Sequence, residues 1–307
     1  AKQFSEQLAK PENQEHLKLL PDLDRHAASL AAKVISEINR DKVLPTHAAM
    51  LAHLDATAAE TTDELRGKLE STFAQELVIL ERVTDQMPQI LAGEADAMDA
   101  LFPGGDTSDL TWLYEQSPGA RLLNTQALRT IEQLSADRPL RILEVGGGTG
   151  GTTTALASSF ANLTEYVFTD ISPLLVHRAK ERFGKHPNLR FETLDIEQGL
   201  AGQGFGENKF DVIVAANVLH ATKSLPQTLD HLRDLTTPGG YLLLIEGTRP
   251  MVWLDMVFGV TKGWWAFDDE LRSGHPLLDE PAWHKALKEH DFEVLSVTDD
   301  SLPHAVF

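Results

Sequence analysis

Residues 140–151, Leu-Arg-Ile-Leu-Glu-Val-Gly-Gly-Gly-Thr-Gly-Gly, join an apolar run to a cluster of glycines where a strand has to turn into a helix. Only glycine lets a backbone turn this tightly and lie flush against a ligand, and a helix start offers unpaired N–H groups to it. From Leu140 onward strand-like and helix-like segments alternate: strand 140–146, helix from about 150, strand 165–171, helix 174–183, strand 189–195, strand 210–217, helix 224–236 and strand 239–247. That order predicts a doubly wound, Rossmann-like α/β sheet covered on both faces. Residues 248–277 interrupt the alternation, a helix follows over 279–290, and strand-like stretches Glu293–Val297 and His304–Phe307 close the chain. Terminal strands joined by a short turn would be antiparallel, a feature that a dehydrogenase sheet of the same class usually lacks.

The N-terminal third reads differently. From about residue 15 to 100 it is rich in Ala, Leu, Glu and Lys, with apolar residues at helical intervals in Leu30, Val34, Ile35 and Ile38 and again in Phe73, Leu77, Leu80 and Val83. Leu44-Pro45-Thr46 punctuates this region and Phe102-Pro103-Gly104-Gly105-Asp106 ends it. The expected organisation is a helical domain over 1–105 and a nucleotide-binding core over 106–307, entered through a helical connector at roughly 118–135. A start on Ala1, inside charged helical sequence, suggests a segment of a longer polypeptide, although N-terminal processing gives the same appearance.

Charge narrows the function. With 27 basic against 46 acidic side chains the net charge is −19, which repels polyanions and makes DNA and RNA poor substrates. Cysteine is absent, so disulfides, cysteine nucleophiles and cysteine metal sites are excluded. No apolar run approaches a membrane span and no export signal opens the chain, so a cytoplasmic setting is expected. The 12 histidines show no H-x-x-x-H or H-E-x-x-H spacing, and no metal is expected. His26, His47 and His53 are read as members of solvated helix faces, as are the acids Asp55, Glu60, Asp63 and Glu64.

In open α/β sheets ligands bind outside the carboxyl ends of the strands. Gly146, Gly148 and Gly151 satisfy the dinucleotide pattern G-x-G-x-x-G, so the loop alone does not choose its ligand. Glu144, two residues before the first glycine, breaks the tie, because its carboxylate would repel a pyrophosphate and suits an ammonium group such as that of S-adenosylmethionine. Asp170, ending the second strand, is placed to take both ribose hydroxyls. Asp195 is placed to accept from an adenine amine while Ile196 covers the ring, with a helix N-cap as an equal alternative for Asp195. The fourth strand ends Ala216-Asn217-Val218-Leu219-His220 and the fifth Leu244-Ile245-Glu246. As neighbours, these ends would bring His220 and Glu246 together, and a carboxylate on one imidazole nitrogen builds a general base near neutral pH. Trp264 and Trp265 either line a substrate channel or fill space, and Tyr114 either closes over the cofactor or packs.

These residues resemble the S-adenosylmethionine-dependent methyltransferase domains embedded in modular and fungal-type polyketide synthases. Ile142-Leu143-Glu144-Val145-Gly146-Gly147-Gly148-Thr149-Gly150 is similar to the family's first cofactor motif, and Phe168-Thr169-Asp170-Ile171-Ser172 to its second. More specific are Ala216-Asn217-Val218-Leu219-His220-Ala221-Thr222, Glu246 and Gly263-Trp264-Trp265. Leu101-Phe102-Pro103-Gly104-Gly105 and Leu113-Tyr114 resemble the junction of the helical lid in these proteins. The resemblance implies a class I methyltransferase sheet with an N-terminal helical lid that keeps water from the reaction. It implies His220 and Glu246 as the base dyad of C-methylation, with Glu144, Gly146, Gly148, Asp170, Ile171, Asp195, Ile196 and Asn217 on the cofactor and Tyr114, Trp264 and Trp265 on the substrate. Tyr114 and Asn217 are also candidate donors to an enolate oxygen. The implied substrate is a β-ketoacyl thioester on an acyl carrier protein beside flanking synthase domains, and S-adenosylhomocysteine is the implied product. An O-methyltransferase, a dehydrogenase and a silent methyltransferase-like scaffold are the rival readings.

Overall fold

The apolar-periodic N-terminal segments fold as helices, and helix formation begins earlier than the composition suggests. The computed structural model describes residues 2–59, 64–207, 209–295 and 302–307. Over the N-terminal third run α1 (Lys2–Leu8), α2 (Pro11–Glu37), α3 (Ala48–Thr57), α4 (Glu64–Leu91), α5 (Ala97–Leu101) and α6 (Ser108–Glu115). On α4 the stripe Phe73, Leu77, Leu80 and Val83 is buried, as its spacing predicts. The buried stripe of α2 is Leu23, Ala27, Ala31 and Val34, whereas Leu30 and Ile35 lie at its margin, half-buried.

The sheet is assembled from segments whose ends are marked in the sequence. Helix α7 (Pro118–Leu134) starts at Ser117, whose Oγ accepts the N–H of Ala120 at 3.2 Å, with Pro118 next. There follow β1 (Arg141–Val145), α8 (Gly151–Leu156), β2 (Glu165–Asp170), α9 (Pro173–Phe183), β3 (Leu189–Thr193), β4 (Phe210–Ala216), α10 (Leu225–Leu235) and β5 (Thr236–Gly247). Helices α9 and α10 repeat the device, with Ser172 before Pro173 and Ser224 before Leu225-Pro226. The chain continues through α11 (Val252–Phe258) and α12 (Glu280–Glu289) to β6 (His304–Val306). The sheet order is β3-β2-β1-β4-β5-β6, parallel throughout except for β6, which runs antiparallel to β5 with Gly247 opposite His304 and Glu246 opposite Ala305. This is the class I methyltransferase arrangement. Of the expected penultimate strand, residues 293–295 carry no strand pairing and 296–297 lie outside the described residues.

Alternation along the strands divides the core into two layers. Val212, Val214, Leu243 and Ile245 pack with Ala127, Ile131, Leu156 and Phe183 on the side of α7, α8 and α9. Ile213, Ala215 and Leu244 pack with Leu229, Leu232 and Trp283 on the side of α10 and α12. The strand ends that carry polar residues therefore emerge along one edge, with the change of winding direction between β1 and β4.

The chain forms two compact units, Lys2–Leu113 with Pro250–Ala266 and Tyr114–Arg249 with Phe267–Phe307. Residues 106–113 and 250–266, which the sequence reading grouped with the core, belong to the helical unit. Helix α11 packs on α2 and α4, and Asp24 accepts the N–H of Trp253 at 3.1 Å. Contacts so distant in sequence leave no local pattern. Within the same unit the solvated-face reading fails for two histidines: His26 is buried and His53 Nε2 lies 3.2 Å from Oδ2 of the buried Asp255. It holds for Asp55, which is exposed and paired with Arg40, while Glu60, Asp63 and the side chain of Glu64 lie outside the described residues.

Candidate active site

The glycine loop is built by exclusion. A Cβ on Gly146, Gly147 or Gly151 would overlap Val218, Phe168 or the Tyr114 backbone respectively. At Gly148 (φ 57°) a Cβ would meet only Gly146 O, at 3.9 Å, so space is left here while its companions are packed. The N–H of Gly148 donates to Asp170 Oδ2 at 2.9 Å and the N–H of Ser172 to Oδ1 at 2.8 Å, which ties the loop to the end of β2. Burial pushes the Asp170 carboxyl up, and these two bonds oppose that shift. Beside it Ile171 is 63% exposed, an apolar side chain left uncovered next to the Asp170 carboxylate. An open glycine, an anchored carboxylate and an uncovered isoleucine together fit an adenosyl group. We expect Asp170→Asn to weaken S-adenosylhomocysteine binding about 10–100-fold, because the amide must set N–H against N–H at Gly148 or Ser172. Calorimetric titration checks this, and unchanged affinity would remove Asp170 from the site.

Glu144 behaves differently from a carboxylate held out to a ligand. Its Oε2 accepts from Thr153 Oγ1 at 2.5 Å and Tyr166 Oη at 2.8 Å, and burial pushes its pKa up to about 7 against these two bonds. Asp195 Oδ1 accepts the N–H of Glu197 at 3.0 Å in a turn from which no helix starts, so it is not a helix N-cap, and Ile196 is buried in the core layer.

At the ends of β4 and β5 the expected pair is formed. His220 Nδ1 lies 2.7 Å from Glu246 Oε2, and Glu246 Oε1 accepts the N–H groups of Val218 at 3.0 Å and Leu219 at 2.7 Å. Glu246 is 0% exposed and His220 7%. Asn217 makes the corner possible: it takes φ 53°, a left-handed conformation that asparagine tolerates, and donates its N–H to Ile245 O at 2.7 Å. Tyr114 is near enough for the charge of Glu246 to act on its phenol, which burial raises above the usual tyrosine range. Trp264 and Trp265 lie in the helical unit, where Trp264 Nε1 donates to Asp255 Oδ1 at 3.1 Å and Trp265 Nε1 to Gly259 O at 3.0 Å.

The profile of the methyltransferase domain matches residues 143–242. The non-reducing polyketide synthase ausA of Penicillium brasilianum is 37% identical over 255 residues, 80% of this chain and 10% of that protein. The crystal structure of the CurJ carbon methyltransferase superposes with a TM-score of 0.86 at 32% identity, covering 99% of this chain and 97% of the other. The chain belongs to the methyltransferase domains of polyketide synthases. The trans-methyltransferase CalH, solved in complex with S-adenosylhomocysteine, has a TM-score of 0.71 at 27% identity over 90% of this chain and 83% of the other. The domain is thus an S-adenosylmethionine-dependent methyltransferase, and it spans about a tenth of the length of the curated relatives it matches.

Two features of this methyltransferase were not visible in its sequence. His304 stands on β6 opposite Gly247, one residue beyond Glu246, and its pKa is pushed down to about 4 by burial, with Glu246 opposing and His220 and Arg249 adding to the shift. A neutral second imidazole therefore borders the dyad. Arg272, buried and paired with Asp269, donates to the carbonyls of the segment that carries His220. The one signal for His304 was its place in the strand-like stretch His304–Phe307, and the pairing of that strand with β5 beside Glu246 emerges only in the fold. Arg272 offered none, because its acceptors are backbone oxygens. Among the described residues no group of three or more His, Cys, Asp or Glu side chains is arranged to hold a metal ion, and no helix is long and apolar enough to cross a membrane.

Proposed function

We propose that this domain methylates the α-carbon of a β-ketoacyl thioester carried on an acyl carrier protein, within a larger cytoplasmic polyketide synthase. The observation that carries the reading is the buried His220–Glu246 pair at the strand ends beside the glycine loop. With Nδ1 committed to Glu246, proton transfer with the substrate falls to His220 Nε2. A carbon between a ketone and a thioester is acidic enough for a positioned imidazole, and the removal of its proton generates the carbanion-like nucleophile. Glu246, clamped by two backbone N–H groups, fixes the tautomer and steadies the imidazolium. S-adenosylmethionine, when bound, would supply an electrophilic methyl group to that carbon and leave as S-adenosylhomocysteine. In this reading Gly146, Gly148, Asp170 and Ile171 hold the adenosyl part, and Asn217 sets the corner from which His220 is presented.

Mass spectrometry of an acyl carrier protein loaded with a β-ketoacyl group, incubated with S-adenosylmethionine and this domain, tests the proposal. A gain of one methylene, placed on the α-carbon by fragmentation, is the expected result. A gain placed on oxygen would replace the reading with O-methylation, and no gain across several acyl chains with cofactor binding intact would overturn it.

A further inference from the structure

We propose that Arg272, together with Asp269, is a positioning residue for the base His220. The inference rests on His220 acting as the base in the reaction above. Arg272 Nη1 donates to His220 O at 2.8 Å, and Nη2 donates to Thr222 O at 2.7 Å and Lys223 O at 3.2 Å. Three carbonyls of one short segment thus converge on one guanidinium. The guanidinium is fully buried, and a buried cation persists only where its donors are satisfied and its charge is balanced. Asp269 supplies both: its Oδ2 accepts from Arg272 Nε at 3.0 Å and Nη2 at 2.5 Å, and the two arginine bonds hold its carboxyl below the usual range against the cost of burial.

The same aspartate also grips the far end of the segment. Asp269 Oδ2 accepts the N–H of Leu225 at 2.9 Å, and Oδ1 accepts those of Leu271 at 3.1 Å and Arg272 at 3.0 Å. From the Glu246 clamp at Val218 and Leu219, through the arginine at His220, Thr222 and Lys223, to the aspartate at Leu225, the segment is fixed along its length. Only the first of these anchors touches the imidazole. The bonds that Arg272 makes to this segment end on backbone carbonyls, so it acts through the backbone that aims His220. A planar fork with several fixed donors suits this task, and a lysine cannot span the three carbonyls at once.

The test compares Arg272→Ala, Arg272→Lys and the parent domain. We expect Arg272→Ala to lower kcat 10–100-fold, with KM for the acyl substrate and the dissociation constant for S-adenosylhomocysteine changed less than threefold. Arg272→Lys should fall between, and it serves if the alanine variant does not fold. Added guanidinium should restore kcat of Arg272→Ala several-fold and leave His220→Ala unaffected. In parallel, 15N NMR follows the titration of the His220 ring without substrate. Glu246, His304, Arg249 and Tyr114 also act on this corner through their charges, and Arg272→Ala changes the charge beside it as well, so the His220 titration is read in Arg272→Lys, where the positive charge is kept and a displaced titration reports the loss of aim. Unchanged kcat and unchanged His220 titration would overturn the proposal, as would a loss shared equally with cofactor affinity and not restored by guanidinium. If the parent domain fails to methylate the β-ketoacyl substrate while the titration still moves in Arg272→Lys, the reaction assigned above fails and the positioning role stands.

Discussion

Replacing His220 with alanine lowers methyl transfer by about 10²–10⁴-fold, the contribution typical of a positioned general base, and leaves S-adenosylhomocysteine affinity close to that of the parent. The separation follows from the architecture. The Gly148–Asp170 contact lies at the β1 and β2 ends and the dyad at the β4 and β5 ends, so removing the imidazole leaves that contact intact. Glu246→Gln should be nearly as damaging. Glu246 accepts from Val218 and Leu219 and faces His220 Nδ1, and a glutamine has only one oxygen for them. Its amide N–H₂ must then oppose a backbone N–H or face Nδ1 as a donor, which reverses the imidazole tautomer. Single-turnover mass spectrometry on a loaded carrier protein measures both variants. A His220→Ala rate within threefold of the parent would remove the histidine from the chemistry.

The second large effect concerns stability in the helical unit. Glu76 on α4 is 1% exposed, its Oε2 has no hydrogen-bond partner among the described residues, and burial pushes its pKa up to about 7. One turn before it, the buried Phe73 packs against the ring of His16. The native carboxyl holds its proton up to about pH 7, whereas an unfolded glutamate releases it near its ordinary value of 4.5. The native state therefore binds more protons between those two values, and stability falls as pH rises through that window and then levels off. At about 1.4 kcal/mol per unit, Glu76 costs roughly 3 kcal/mol above pH 8. Glu76→Gln removes the titration, so its stability relative to the parent should rise by about 2–3 kcal/mol between pH 5 and pH 8. Urea denaturation of both proteins at the two pH values measures this, and an equal difference at pH 5 and pH 8 would contradict it.

The sequence exposes whatever in this fold depends on local pattern. Glycines at a strand end, an aspartate closing β2 and alternating apolar runs name the class of sheet, and the strand-end rule brings His220 to Glu246 because β4 and β5 are neighbours. What stays hidden depends on contacts between distant residues. Glu144 reads as a carboxylate for an ammonium group, and its bonds to Thr153 and Tyr166 become visible only once α8 and β2 are packed. His53 looks like a surface histidine until Asp255, some two hundred residues away, is folded beside it. Arg272 belongs with these, since nothing in a string of letters marks which carbonyls a guanidinium will meet.

The return of residues 250–266 to the helical unit bears on how such domains are recombined. A chimera spliced at residue 105, or at Leu113, exchanges most of the helices and leaves α11 behind, a helix whose buried Trp253, Met256 and Val257 are shaped to the α2 and α4 of its own parent. The exchangeable cassette is discontinuous: it needs both stretches, and therefore two further junctions, one on either side of 250–266.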